Sequence, residues 1–476
     1  MKNGSGRDGD EKMRVGKTIA TAVAIVAGIA VISRIYIYRT AEERLQTLLS
    51  GAASPCPSGL VTKIVKYDNS IFGATATVEA ESSGGSGNTP CNGKKFETDI
   101  EYGPIPDIGG DIPLASMRVS WSGDLSYLYE PLEGDMRYRA MFGFGDRVVE
   151  SIETDRVILD HPEGGMKIVG DDMRITIDST LDGAKSKSRL QSSLLKMEDS
   201  RTGETLRMKD AEIESTIYER GEDGVSLGKI VSKIGELSIS VPGHPIVKAY
   251  AEFESRLKKG GDSLLDMRIS NSIVPDESTD LKTAMGIKSL HSEVELRNLG
   301  RKGLAEAIEY RKMRDETAQK LAEASRTGDA VALGKALDEY SRLENRLVEI
   351  FNDIFISGKS SIRIEEKIVA DRESEIILDM LYTGRKLHGD ILNAIAEATA
   401  SLENSLEGSF EFKLERELLR RVYPNAIFIL ESMVNKGMAR LDNGVYLLSG
   451  RYEKGRFTIN GHSYGPKELI FTILAP

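Results

Sequence analysis

Short runs in which apolar and polar residues alternate recur between residues 60 and 300, separated by Gly, Asp and Pro. The clearest runs place apolar side chains at Met173, Ile175 and Ile177, at Leu206 and Met208, and at Leu237 and Ile239. A period of two puts the apolar side chains of a strand on one face and the polar side chains on the other. This part of the chain therefore predicts half-buried antiparallel strands.

The apolar spacing changes to threes and fours between residues 303 and 356, which is typical of amphipathic helices. The apolar positions of the second helix are Leu333, Leu337, Tyr340, Leu343, Leu347, Ile350 and Ile354. Gly303–Ala324 is its predicted partner helix, and Thr327–Asp329 is the predicted turn, with Asp329 as the N-cap. Together these segments predict a helical hairpin.

The remainder of the chain mixes the two periods. The predicted elements are strands near 360–370 and 373–383, a helix near 387–404, a strand through Phe410, Phe412 and Leu414, and a helix near 416–440. A meander is predicted from Val445 to Leu474, with turns at Glu453–Gly455 and Asn460–Gly461. The predicted fold class is α+β, a mostly antiparallel β-sheet body with a helical hairpin insert, behind one N-terminal transmembrane helix.

The predicted transmembrane helix rests on an uncharged stretch near the start of the chain. Residues Thr18 to Ser33 carry no charge, and apolar residues resume after Arg34 as far as Tyr38. A helix from Thr18 to Tyr38 is about 31 Å long, which matches a hydrocarbon core of about 30 Å. A cleaved signal peptide is the alternative, although Ser33–Tyr36 is too bulky and charged for a cleavage site.

Five basic residues precede this stretch, and the segment just after it has three, Arg34, Arg39 and Arg44, which favours a cytoplasmic N-terminus. The predicted organisation is listed from the N-terminus: a cytoplasmic tail (1–17), a transmembrane anchor (18–38), a β-rich extracytoplasmic domain (39–302), the helical hairpin (303–357) and an α+β C-terminal domain (358–476). The lipid bilayer is the partner that the anchor predicts.

The two cysteines, Cys56 and Cys91, both follow the transmembrane stretch and bracket a Gly/Ser-rich segment. In an oxidising compartment an even pair predicts a disulfide, which stabilises a fold by roughly 3–4 kcal/mol in the chain-entropy account. Two buried free thiols are the alternative. Without neighbouring histidines the pair cannot form a four-ligand zinc site.

Composition argues against several classes of function. A net charge of −11, a pI near 5.3 and 6% aromatic residues argue against a nucleic-acid partner. The five histidines are scattered singly, and Val15–Thr18 lacks the first glycine of a phosphate-binding loop because position 11 is Glu. The residues therefore predict no catalytic, cofactor-binding or metal site, and a protein that is not an enzyme.

Three segments carry motifs that occur in a fixed order along the chain. They are Lys66–Thr77, with a Tyr-containing strand and a Phe turn; Phe96–Ile108, with a strand and a Gly-Pro-hydrophobic-Pro turn; and Arg451–Gly461, with a closing hairpin. The motif residues, for which a structural role is expected, are Tyr102, Gly103, Pro104, Pro106, Tyr452, Gly455, Asn460 and Gly461. In this order the motifs resemble the YdgA-like family of bacterial envelope proteins, which carry a domain of unknown function.

The resemblance implies a single-pass protein of the bacterial inner membrane with the bulk of the chain in the periplasm, and it brings no catalytic residues. The Gly/Ser-rich loop and the cysteine pair depart from the family pattern. Both features therefore belong to this chain rather than to the resemblance.

Three functions compete. The first is a non-catalytic scaffold or interaction protein that uses a β-surface or the hairpin to bind a second copy or an envelope protein. The second is a lipid-binding or lipid-transfer protein with an apolar β-groove; strands that line such a groove are expected to be apolar on both faces, whereas these alternate with charge. The third is a hydrolase of unrecognised type.

Overall fold

A computed structural model describes residues 60–69, 73–82, 95–106, 114–124, 132–143, 146–161, 165–180, 183–243, 246–261, 263–389, 393–394 and 404–474. These residues divide into two compact units, unit 1 up to Arg201 and unit 2 from Thr202. The predicted anchor, Cys56, Cys91 and most of the predicted helix near 387–404 lie outside the described residues. Of the helices in the described ranges, none is long and apolar enough to cross a membrane.

Unit 1 is an antiparallel meander. Its strands are β1 (Leu60–Asn69), β2 (Gly73–Ser82), β3 (Lys95–Pro106), β4 (Leu114–Asp124), β5 (Leu132–Glu133), β6 (Asp135–Phe142), β7 (Arg147–His161), β8 (Met166–Thr180) and β9 (Ser186–Asp199). Strand β4 pairs directly with β6, and the short β5 pairs with β7. Alternating side chains of β2, β3, β4 and β6 form its main core, which includes Ala76, Ile100, Met117, Val119 and Phe142.

Unit 2 is also an antiparallel meander. Its strands are β10 (Thr205–Arg220), β11 (Ser226–Ser240), β12 (Val247–Gly261), β13 (Leu264–Pro275), β14 (Ser289–Gly300), β15 (Ser361–Val369), β16 (Glu373–Tyr382), β17 (Leu406–Glu415), β18 (Arg440–Asp442), β19 (Val445–Glu453), β20 (Arg456–Ile459) and β21 (His462–Tyr464). Strands β10 to β17 each pair with the next, and β17 then pairs with β19. The predicted α+β class with a mostly antiparallel sheet is confirmed.

Six helices accompany the strands of unit 2 in the described ranges. They are α1 (Asp280–Thr283), α2 (Arg301–Thr327), α3 (Ala330–Ile354), α4 (Arg416–Val422), α5 (Pro424–Asn435) and α6 (Pro466–Leu474). Helices α2 and α3 form the predicted hairpin, which is inserted between the paired strands β14 and β15. The hairpin therefore leaves and rejoins the sheet at the same end of these two strands.

The base of the hairpin requires glycine. A Cβ atom on Gly303 would lie 2.5 Å from the carbonyl carbon of Asp353, and a Cβ atom on Gly300 would overlap the Asp353 carbonyl oxygen. Both obstacles are backbone atoms, which cannot move without displacing α3. The two helices thus approach closely only because these positions lack side chains.

The turn of the hairpin follows the sequence pattern. Gly328 adopts a left-handed conformation with φ of 70°, and the Asp329 carboxylate accepts hydrogen bonds from the backbone N–H groups of Val331 and Ala332, both at 3.0 Å. Asp329 is therefore the N-cap of α3, as predicted.

Replacing Asp329 with Ala should lower the free energy of unfolding by about 1 kcal/mol, because two N–H groups of the first turn lose their acceptor. The measurement is chemical unfolding followed by far-ultraviolet circular dichroism. Asp338 is exposed in the middle of the same helix, so Asp338→Ala is the control and should cost nothing. Equal losses for the two variants would contradict the capping role.

The predicted helix near 416–440 is wrong as a single element. It is divided at Tyr423, whose backbone has φ of −137° and ψ of 69°, immediately before Pro424. Proline lacks an N–H group and disfavours the helical conformation in the residue before it. Consequently α4 ends at Val422 and α5 starts at Pro424.

The predicted meander is correct only as far as Tyr464. Asn460 and Gly461 both have positive φ, 48° and 82°, as the predicted tight hairpin requires. Beyond them Pro466–Leu474 is a helix instead of a strand. The Gly465 N–H donates to the Glu468 carboxylate at 3.0 Å, so a capping interaction and a proline in the first turn start α6.

Candidate functional site

Unit 2 places most of its apolar strand side chains on one side of the sheet, because residues paired across antiparallel strands project to the same face. One line of pairings joins Ser215, Ile230, Ser255, Ile269, Val294, Ile364, Leu378 and Phe410. A second line joins Leu257, Met267, Leu296, Ile362 and Met380. The surface formed by these lines, with Ile213 and Phe253, is called the apolar face.

Large apolar side chains on this face are open to solvent in its β10–β13 part. The exposed fractions are 38% for Ile213, 48% for Ile230, 38% for Phe253 and 43% for Ile269. A contiguous group of exposed branched and aromatic side chains is characteristic of binding surfaces. These four residues are the centre of the candidate site.

Helices cover other parts of the same face. Leu281 of α1 and Leu418 of α4 pack near Leu290 and Ile368, where β14 begins and β15 ends. Helices α5 and α6 pack over the β17–β19 side, next to Phe410. The exposed centre is thus bordered by covered regions of the same sheet.

One line across the face is less apolar than its neighbours. It contains Ser232, between Ile213 and Phe253, and then Asn271, Ser292 and Glu366, between Phe253 and Ile376. The Glu366 carboxylate accepts a hydrogen bond from the Ser292 hydroxyl, which satisfies part of its polar surface. The face therefore has an apolar majority with a few hydrogen-bonding groups, as small-molecule sites commonly do.

The opposite face of the same strands, here called the polar face, carries charged side chains in cross-strand pairs. Arg268 lies 2.6 Å from Glu293, and Glu375 lies 2.9 Å from Lys413 and 3.1 Å from Lys367. Hydrogen bonds from Lys413 and, to a smaller extent, from Lys367 hold the pKa of Glu375 below its usual value. Because these charges neutralise one another, the polar face is suited to water.

Unit 1 contains a buried carboxyl group. Glu150 is 6% exposed and lies in β7 opposite Ala140 and Ile177. Burial raises the pKa of Glu150 to about 7, and the nearby Tyr138 hydroxyl acts in the opposite direction. Burial also raises the pKa of Tyr138, whose hydroxyl is buried without a hydrogen bond of normal geometry.

Glu150 and Tyr138 do not form a catalytic arrangement by themselves. Acid–base catalysis requires the acid or base to be within reach of a substrate, and both groups belong to the core side of the sheet, where Tyr138 packs against Ala140 and its neighbours. In the described ranges no group of three or more His, Cys, Asp or Glu side chains could hold a metal ion.

The first group of motif residues lies in β3. The Gly-Pro-hydrophobic-Pro motif, Gly103–Pro106, is predicted as a turn after a strand, whereas the strand continues through it to Pro106. The pairing with β4 shifts register between Tyr102 and Ile105, around the Gly-Pro pair. A proline cannot donate a ladder hydrogen bond, so an irregularity at this point is the physical consequence.

The second group lies in the closing hairpins. Tyr452 is 8% exposed, and its ring centroid is 4.8 Å from that of Phe457. Gly455 has φ of 75°, and the Asn460 side-chain amide donates to the backbone carbonyls of Gly437 and Met438. Gly455 and Asn460 shape turns, and Tyr452 packs within a strand. None of the three belongs to the exposed centre of the apolar face.

The comparisons with known proteins add a family. A family model described as "Bacterial protein of unknown function (DUF945)" matches residues 16–350. The YdgA-like resemblance is consistent with this match. No curated protein and no solved structure matches the chain.

Proposed function

The chain belongs to the DUF945 family of bacterial proteins of unknown function, and we propose that its unit 2 binds the acyl chains of a lipid on the apolar face. The observation that carries this proposal is the exposed centre of the face, formed by Ile213, Ile230, Phe253 and Ile269. Transfer of such side chains from water to a hydrocarbon contact is favourable by about 25 cal/mol for each Å² buried.

The dimensions of the face suit a hydrocarbon chain. The line from Ser215 to Phe410 crosses eight strands, and adjacent strands are about 4.8 Å apart, so the line is roughly 34 Å long. Acyl chains bind through area and shape without directional contacts, which fits a surface composed mainly of Ile, Leu, Val, Met and Phe.

The alternation of apolar and charged residues does not argue against lipid binding here. The expectation that lipid-lining strands are apolar on both faces assumed a second layer packed against the sheet. The strands β10–β13 instead have one apolar face, exposed at its centre, and one polar face with paired charges. A sheet of this kind needs only one apolar face to hold hydrocarbon.

We further propose that this lipid is encountered at the bacterial inner membrane. The apolar stretch Thr18–Tyr38 has the length of a membrane span, and the segment before it carries more basic residues than the segment directly after it. A helix retained there would keep unit 2 close to the bilayer from which a lipid is taken. The proposal includes no catalytic step.

A double variant in which Asn replaces both Ile230 and Ile269 should bind acyl chains about tenfold or more weakly, because two contacts in the centre of the face become polar. The measurement is a fluorescence titration of the full chain, held in an amphipathic polymer, with a dansyl-labelled fatty acid. The control replaces Val231 and Val274 with Asn; these lie in the same two strands on the polar face.

Parent-like binding is expected for the control pair. The proposal would be overturned by parent-like binding of the Ile230/Ile269 variant, or by an equal loss in both pairs. Far-ultraviolet circular dichroism of each variant separates a lost contact from a lost fold.

A scaffold function is the second candidate, and the hairpin is the feature that favours it. Val331 is 68% exposed, Leu337 53% and Ile308 49%, so both helices present apolar side chains to solvent. If the hairpin mediates self-association, Val331→Glu together with Leu337→Glu should convert a dimer into a monomer in analytical ultracentrifugation. A parent chain that is monomeric at all concentrations would rule out self-association through the hairpin.

A further inference from the structure

A pocket of about 540 Å³ lies at the base of the hairpin in unit 2. Its walls come from the start of β13, the ends of β14 and β16, both helices of the hairpin and the segment that joins α3 to β15. The lining residues used below are Leu264, Lys302, Phe355, Lys359, Tyr382 and Lys386. All these elements belong to one compact unit.

One wall of this pocket is apolar and continues the apolar face. Tyr382 follows Leu378 and Met380 in β16 at intervals that keep it on the same side of the strand. Its ring centroid lies 6.0 Å from that of Phe351 and 6.2 Å from that of Phe355. Phe351 in the last turn of α3 and Phe355 just after this helix thus extend the apolar surface beyond the end of the strands.

The other wall is cationic. Lys302 lies 2.7 Å from the Asp353 carboxylate. Lys359 and Lys386 are exposed, and neither has a carboxylate partner in the part of the chain that the structure describes. The pocket therefore holds two positive charges that no carboxylate of the described residues compensates.

A neighbouring pocket of about 520 Å³ shares Lys386 with this pocket and adds no net charge of its own. Its Arg342 and Arg346 are balanced by Glu349, which also lines it, and by Glu309, which lies 3.6 Å from Arg346. The chain as a whole has a net charge of −11, and Lys367 and Lys413 of the polar face are both paired with Glu375. The hairpin base is thus a cationic site on an acidic protein, which attracts anions.

We propose that this pocket binds the anionic headgroup of the lipid whose acyl chains lie on the apolar face. The inference rests on the proposed function and deepens it, because it assigns the ligand class as an anionic amphiphile. An ammonium pair beside aromatic side chains matches a molecule with a negative head and an apolar body. The acyl chains would leave the pocket past Tyr382 onto Met380 and Leu378.

The test compares two probes with the same chain and different heads: a dansyl-labelled fatty acid, which is anionic, and its methyl ester, which is neutral. Both are titrated against the full chain in an amphipathic polymer. The parent should bind the acid about tenfold more tightly than the ester. In the Lys359→Gln/Lys386→Gln variant this preference should disappear while ester binding stays the same.

The control variant is Lys312→Gln/Lys335→Gln, which changes the net charge equally at two exposed hairpin residues outside both pockets. It should keep the preference for the acid. An acid preference that survives in Lys359→Gln/Lys386→Gln, or equal binding of acid and ester by the parent, would overturn the headgroup site alone. If the parent binds neither probe, the proposed function itself fails.

Inorganic phosphate distinguishes a lipid headgroup from a free anion as the ligand. Phosphate lacks the acyl chain and is expected to leave the bound fatty acid in place when both are present at equal concentration. Displacement of the fatty acid by phosphate under these conditions would contradict the amphiphile assignment.

Discussion

Replacing Gly303 with Ala is expected to destabilise the helical hairpin by about 3 kcal/mol, the upper end of the usual cost of overpacking. The new Cβ atom would lie 2.5 Å from the Asp353 carbonyl carbon and would also meet the Ile354 side chain at 2.8 Å. The clash with the backbone can be relieved only by moving α3 away from α2. Such a movement would also separate the Lys302–Asp353 ion pair at the same place.

The matched control is Gly334→Ala in α3, where a Cβ atom would meet nothing within 4 Å. Alanine in a helix is more favourable than glycine by roughly 0.5–1 kcal/mol, so this variant should be slightly more stable than the parent. Urea unfolding followed by the helical circular dichroism band measures both, since α2 and α3 are the longest described helices, with 27 and 25 residues. A Gly303→Ala variant as stable as Gly334→Ala would contradict the close approach.

Replacing Glu150 with Gln is expected to stabilise unit 1 by about 3 kcal/mol at pH 8 and by much less near pH 4.5. The folded-state pKa of about 7 lies above the ordinary value of 4.5. Between these two values the folded chain keeps a proton that the unfolded chain has released, so stability falls as pH rises through this window. Each pH unit corresponds to about 1.4 kcal/mol.

An amide stays neutral across this range, so the variant avoids the cost of a buried carboxylate. The sole tryptophan of the chain, Trp121, is 8% exposed in unit 1 and reports the unfolding of that unit by fluorescence. Glu153→Gln is the control, because Glu153 lies in the same strand and pairs with Arg174 at 3.3 Å; its effect should stay within about 1 kcal/mol. A Glu150→Gln effect that does not change with pH would refute the raised pKa.

The elements with local signals are those that the sequence predicts well. The hairpin is one example, because the period of its apolar residues and the Gly328–Asp329 pair are both readable without a structure. Two proline residues mark where the apolar period alone mispredicts an element. Pro424 divides the helix predicted near 416–440, and Pro466 with Glu468 starts a helix where a strand was predicted.

The candidate site is harder to predict because exposure depends on what packs against a strand. Alternation shows that Ile230 and Ile269 share a face with other apolar residues, but it does not show whether a second layer covers them. Glu150 had a weak signal, since it lies between Val148 and Ile152 on the core side of β7 in unit 1. The pocket at the hairpin base joins Lys359 and Lys386 across β15 and β16, which only the strand pairing reveals.

The central claim is that the apolar face binds lipid, and site-specific photocrosslinking in bacterial cells tests it most directly. A photoreactive phenylalanine analogue is placed in the full chain at Ile269 on the apolar face or at Ser270, its neighbour on the polar face, and phospholipids are labelled with radioactive phosphate. The account predicts a labelled lipid adduct at position 269 and none at position 270. No adduct at position 269, or a crosslink there only to protein, would contradict it.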